Sequence, residues 1–555
     1  MQAAGDSFRS VPGHQPWEPY LDVPTEAYPE MSWCGWGDPA QVPSLPERVR
    51  GLLADALGVR EPAGRRASLE EIELPPARLP GVVSSELRGV VGQEHAREDR
   101  EARIRHTRGR STLDLLRMRA GDALDAPDLV VMPGSHQEVL ALLAICSRRR
   151  VAVVPFGGGT SVVGGLQARS QGYAGLVSLD LRRMSKLLEL DEQSRLAVLE
   201  PGLRGPQAEA LLGRRGYTLG HFPQSYEFAT LGGFAATRSS GQASAGYGRF
   251  DELVLALRVA TPVGELTVGR APKSAAGPDL RQLFLGSEGA LGVITALTLQ
   301  LRPAPAARVY DGWRLPSFAE GLAALRHLSQ DVALASVLRL SDEAETAVNL
   351  SRPDDPGAGP GGGGCLAIVG YEGAAEHVTA RRELVSSTLA RAGAEPVPEA
   401  GEQWARDRFR GPYLRDALLD AGALVETLET VAFWSSIPPL YDAVIGALRE
   451  SLSALGTPPL VLCHVSHVYP SGASLYFTVA CAQLDDAQGQ WRAAKAAASD
   501  AILAAGGSIT HHHGVGGDHR DWYRREIGEL SVQTLSAVKA TVDPEGVLSP
   551  GILIT

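Results

Sequence analysis

Three consecutive histidines, His511, His512 and His513, are followed by Gly514-Val515-Gly516. Imidazoles titrate near neutral pH, so such a run can carry protons or bind a metal. In an extended segment alternate side chains share a face, which would set His511 beside His513 as two ligands. No neighbouring cysteine or His-x-x-x-His spacing completes a zinc site, so no metal is expected. The flanking glycines would let the backbone approach a bound group, as a catalytic loop requires; a merely histidine-rich turn is the alternative. Along residues 474–479, Leu475, Phe477 and Val479 share one strand face, and Ser474, Tyr476 and Thr478 the other. Tyr476 can therefore point into a cavity or hydrogen-bond within the core. Arg339 falls on the same face as Val337 and Ser341, opposite Leu338 and Leu340. A guanidinium pointing inward needs an anion, either a substrate phosphate or an ordinary carboxylate partner. Arg415 reads equally well as helix surface.

A second kind of chemistry is suggested by small residues. Gly157-Gly158-Gly159-Thr160-Ser161, after Pro155, can bend tightly and turn several N–H groups onto one anion. It is neither a G-x-G-x-x-G fingerprint nor a P-loop, and by itself it is equally a structural turn. Two later loops have a related make-up. One contains Pro223, Ser225, Thr230, Gly232 and Gly233; the other contains Ser287, Glu288, Gly292, Val293 and Ile294.

In this order the three loops resemble the FAD-binding domain of the vanillyl-alcohol-oxidase (PCMH) type. The resemblance implies FAD, with 157–161 on the pyrophosphate, 223–233 lining the flavin and 287–294 packed against it. No His or Cys stands in these loops to tether the flavin, so binding is expected to be non-covalent. The histidine loop narrows the resemblance to the alkyldihydroxyacetonephosphate synthase family. Gly35-Trp36-Gly37, residues 336–340, 413–416 and 475–477, and Val542-Asp543-Pro544 agree with it. It implies a redox-neutral exchange in which acyl-dihydroxyacetone phosphate gives up its acyl group for a long-chain fatty alcohol. Tyr476 would be the general base or acid, its pKa moved down by His512, His513 or a cation. His513 would assist proton transfer within the catalytic histidine cluster, Arg339 would bind phosphate and Arg415 would orient the head group. A homodimer with peripheral membrane contact is implied as well. The second reading is an FAD-dependent dehydrogenase or oxidase of a 2-hydroxy acid or alcohol.

These groups must be positioned by a chain of 555 residues, too long for one core. The expected class is α+β: a two-lobed FAD-binding domain with an α+β cap. The segments are a tail over 1–32, a mostly helical stretch over 33–126, the FAD-binding domain over 127–306, the cap over 307–505, and residues 506–555 returning to the flavin. Strand 129–132, helix 135–149 and strand 151–154 read as β-α-β, predicting a parallel pair with the glycine loop directly after it. Strands 460–468 and 474–481 read as a hairpin, and 352–364 as a low-complexity loop. Residues 94–110 alternate acids with arginines and read as a solvated helix face. A net charge of −11 argues against nucleic acid as a partner. Five scattered cysteines, and no basic-then-apolar start, predict a reducing, cytoplasmic setting.

Overall fold

The structure, a computed structural model, describes residues 30–61, 66–167, 169–332, 335–350 and 363–554. Nearly all of the expected tail and most of the 352–364 loop lie outside the described residues.

The first lobe is built on a small sheet ordered Ala96–Arg97, Leu129–Val131, Leu176–Asp180, Ala152–Phe156, whose last three strands run parallel. The β-α-β reading therefore needs correcting in one respect: Leu176–Asp180 lies between the two strands expected to be neighbours. The connecting helix His136–Arg149 begins at Ser135, whose hydroxyl accepts from the Glu138 N–H at 3.2 Å. It buries Val139, Leu142, Leu143 and Cys146 against the sheet. A second, antiparallel sheet of five strands is centred on Val293–Gln300, whose alternating burial marks one covered face.

The second lobe carries a seven-stranded antiparallel sheet. Its order is Glu395–Pro396, Ala307–Leu315, Cys365–Gly373, Val337–Ser341, Leu460–Tyr469, Gly472–Ala482, Ala423–Phe433. Leu475, Phe477 and Val479 point to one face and join a core with helices Phe318–His327, Ile437–Ala454 and Ala487–Ala504. Tyr476 and Thr478 consequently face the opposite way, toward the first lobe.

Residues 94–110 are not a solvated helix face. Only Arg100–Arg105 is α-helical, and Arg103, Arg108 and Arg110 are buried. Their N–H groups find acceptors locally. Arg108 pairs with Asp122 and Asp125, and Arg110 donates to the carbonyls of Ser32 and Gly109 at 2.9 and 2.8 Å. The Arg110 N–H donates to the Ser161 carbonyl at 2.6 Å, fixing this segment against the glycine loop.

Candidate active site

Between the lobes lies a cavity of 540 Å³ lined by residues from both. On the first lobe, Pro155, Gly157, Gly158, Gly159, Thr160 and Ser161 form one wall immediately after strand Ala152–Phe156. Pro223, Ser225, Thr230, Gly232 and Gly233 continue it, and Ser287, Glu288, Gly292, Val293 and Ile294 close it. A Cβ on Gly158 would overlap the Phe228 carbonyl oxygen, so only glycine lets the loop lie flat on 228–230. Among the described residues no backbone carbonyl accepts from the N–H of Gly158, Gly159 or Thr160. Gln224 Nε2 and Gln242 Oε1, both lining the cavity, are buried without a hydrogen-bond partner. Unspent donors and acceptors around a half-enclosed space fit a large polar cofactor such as FAD.

Glu288 has a double position. It lines the cavity, yet its carboxylate accepts from the Val515 and Gly516 N–H groups at 2.9 Å each, holding the turn after the histidines. Burial pushes its pKa up to about 7.

The opposite wall carries Tyr476, His512, His513, Arg339 and Arg415. The Tyr476 ring stacks on His464 at 5.0 Å between centroids, and the His513 ring meets it edge-on at 5.6 Å. The expected downward tuning of Tyr476 is not what this surrounding does. Burial first, then the nearby Glu426 and Glu429 carboxylates, push its pKa up to about 12. Burial also lowers the histidines, His512 to about 4, so they are neutral at physiological pH.

Arg339 has a carboxylate partner already. Its Nη2 donates to Glu345 at 2.7 Å and lies 3.0 Å from His464 Nδ1. Burial opposes ionisation of Glu345, but His464 and Arg339 hold its pKa down at about 2. Arg415, on helix Gly411–Asp420, is turned into the cavity rather than onto the surface. Its Nη1 donates to the Arg110 carbonyl at 2.7 Å, while its buried Nε has no partner. Leu414, Leu418, Leu462 and Val348 make an apolar side of the cavity. Leu414 and Val348 are each 46% exposed, so this side reaches the surface.

His511 stands behind this wall. It does not line the cavity, because residues 511–513 form a bend and not an extended run. The pairing of His511 with His513 is thus replaced by another: His511 Nδ1 lies 3.0 Å from His512 Nδ1. The ring nitrogens of His467, His511 and His512 come within 4.8 Å of one another, near enough for a metal. Two of the three rings are already engaged, His467 Nε2 with the Gly241 carbonyl at 2.9 Å and His511 Nε2 with the Tyr469 hydroxyl at 2.6 Å.

The residue that shapes the bend was missed from the sequence. Glu429, on strand Ala423–Phe433, accepts from the backbone N–H groups of His511, His512 and His513 at 2.7, 3.1 and 3.0 Å. The Thr510 hydroxyl donates to it as well, at 2.6 Å. Burial works to raise its pKa, but His512, His513 and His511, and after them the Thr510 hydroxyl, hold it well below the usual carboxylate range. A signal existed: two acids, Glu426 and Glu429, interrupt an otherwise apolar and hydroxyl-bearing strand.

Residues 127–269 match the family described as FAD binding domain, and residues 304–553 the family described as FAD linked oxidases, C-terminal domain. The chain is 32% identical to the alkyldihydroxyacetonephosphate synthase of Dictyostelium discoideum, over 95% of its own length and 94% of that protein's. A solved structure of an alkyldihydroxyacetonephosphate synthase superposes with a TM-score of 0.79 at 30% identity, covering 94% of this chain and 98% of that one. Substrate-bound p-cresol methylhydroxylase shares the fold, with a TM-score of 0.66 at 16% identity over 85% of this chain and 96% of that one.

Proposed function

The chain belongs to the alkyldihydroxyacetonephosphate synthase family, and on that premise we propose that it forms an ether bond with the help of FAD, exchanging the acyl group of acyl-dihydroxyacetone phosphate for a fatty alcohol. The observation that carries this reading is a single cavity with three different walls. One has unspent backbone donors, one has Tyr476 with neutral histidines and two arginines, and one is apolar and reaches the surface.

Bound FAD supplies a ring that takes up electron density from the substrate carbon and returns it, so no net oxidation results. The protein's own groups do the rest. Arg339 and Arg415 are the arginines available to a phosphate or head group, Arg339 by sharing its guanidinium with Glu345. Tyr476, protonated at rest, gives a hydrogen bond or proton at the departing oxygen. The neutral rings of His512 and His513 offer lone pairs to a proton leaving carbon or the alcohol hydroxyl. The Leu414–Leu418 side would take the fatty chain. Long chains reside in bilayers, and the apolar side of the cavity reaches the surface, which supports contact at a membrane surface. The homodimer rests on the family resemblance, and the cytoplasmic setting on cysteine usage alone.

Purified protein is to be given synthetic acyl-dihydroxyacetone phosphate and hexadecanol, with products read by mass spectrometry. Alkyl-dihydroxyacetone phosphate and fatty acid should appear without anaerobic bleaching of the flavin. Bleaching by a 2-hydroxy acid, with no ether product, would establish the dehydrogenase reading instead.

A further inference from the structure

The proposed exchange leaves a proton behind. The ester C–O bond breaks, the ether C–O bond forms, the alcohol loses its O–H hydrogen, and the fatty acid departs as a carboxylate at neutral pH. One proton per turnover must therefore leave a cavity whose own opening to the surface is apolar.

A path is visible behind His512. On the far side of the histidine bend lies a separate surface cavity of 720 Å³, lined by Tyr469, Ser471, Asp500, Ser508, Arg525 and the 71% exposed Phe433 among others. Tyr469 belongs to this outer cavity, and His512 to the inner one. His511, lining neither, joins them through Tyr469 Oη to His511 Nε2 at 2.6 Å and His511 Nδ1 to His512 Nδ1 at 3.0 Å. Both distances are hydrogen-bond lengths, and an imidazole can accept at one nitrogen while releasing from the other. We propose that Tyr469 and His511 form a proton relay that carries the proton collected by His512 out to the surface cavity.

The step balances. The alcohol proton arrives at the cavity-facing nitrogen of His512, and the Nδ1 proton of His512 passes to His511 Nδ1. The Nε2 proton of His511 passes to the Tyr469 oxygen, and the Tyr469 hydroxyl proton passes to water. Each bond formed replaces one broken, and the rings end in their other tautomers. Glu429, His467 and Arg249 also face His511, and Arg249, Ser240 and Glu252 face Tyr469. Glu429 favours the transient imidazolium, and Arg249 discourages it from resting at either group.

The inference rests on the ether-forming reading, so its test must separate the two. Wild-type and Tyr469→Phe holoenzymes, matched for FAD by absorbance, are to be compared with acyl-dihydroxyacetone phosphate and hexadecanol in dilute and in imidazole buffer, in water and in deuterium oxide. Tyr469→Phe should lower kcat by about 100-fold, the low end of positioned proton transfer, leaving KM unchanged. The solvent isotope effect should grow, and imidazole reaching the outer cavity should restore the rate. An unchanged kcat, or a loss that imidazole does not repair, overturns the relay. An inactive wild type overturns the ether-forming reading alone. Nitrogen-15 spectra of the imidazoles test the relay without turnover. Tyr469→Phe should shift the tautomer populations of both His511 and His512, and unmoved populations overturn it.

Discussion

A phenol whose pKa stands near 12 keeps its proton throughout the physiological range, which makes Tyr476 an acid awaiting a departing oxygen. Tyr476→Phe should bind FAD normally and lose alkyl transfer by roughly 10²- to 10⁴-fold, measured as product formed per flavin. Because Tyr476 is protonated at neutral pH, the wild-type kcat should show no alkaline limb from its ionisation before the protein itself fails. Glu429 acts one layer back. It holds three consecutive N–H groups, and Glu429→Gln would leave part of that set without a charged acceptor at a cost of about 1–3 kcal/mol. A lower melting temperature and a lower kcat with unchanged FAD content are expected. Since the folded carboxyl lies below its ordinary 4.5, its stabilisation is present above that pH and lost as pH falls further. The melting difference between variant and wild type should shrink in acid. At this scale the sequence made Tyr476, His512 and His513 visible, because type and alternation announce them. Glu429 stayed hidden because its role is to bind backbone, and His511 was misplaced because three residues in a bend do not alternate.

Elements explain why the remaining expectations divided as they did. Helix His136–Arg149 and the strands of the Leu460–Tyr469 and Gly472–Ala482 hairpin have strong periodicity and clear end signals, so their existence follows from pattern alone. Strand order does not. That Leu176–Asp180 inserts between two earlier strands is decided by packing of distant segments, which no local window contains. The same holds for Arg108, whose burial depends on carboxylates at 122 and 125 reached only once the chain has turned back. Strand Ala423–Phe433 escaped notice because its acids mimic a surface pattern while their partners lie far along the chain. The glycine loop is a case where element and residue coincide. Gly158→Ala would drive a methyl into the Phe228 carbonyl and lift the loop off its support. The protein should still fold, yet purify with a much lower ratio of flavin absorbance to protein absorbance than wild type.

On the scale of the whole molecule, the cofactor site is a seam and not a pocket within one lobe. The chain's last segment braces the first-lobe wall of the seam: the Ser549 N–H donates to the Val153 carbonyl at 2.8 Å, behind the glycine loop. Buried Lys539 donates to the Ala290 and Leu548 carbonyls at 2.7 Å each, binding the third loop to the same segment. A ligand filling the seam touches groups that only the folded, docked arrangement brings together, so its binding free energy adds to stability. Adding FAD to deflavinated protein should therefore raise the melting temperature, with about 2.7 kcal/mol gained at a free concentration one hundred times Kd. Since no His or Cys of the three loops is placed to bond the flavin, acid precipitation should release FAD intact into the supernatant. A yellow pellet after washing would place a covalent link elsewhere in the lining, with His464, His467, His512 and His513 as the residues to search by peptide mass. The two measurements are linked. Only a dissociable cofactor can produce a melting temperature that climbs with added FAD, whereas a tethered one would leave the transition independent of it.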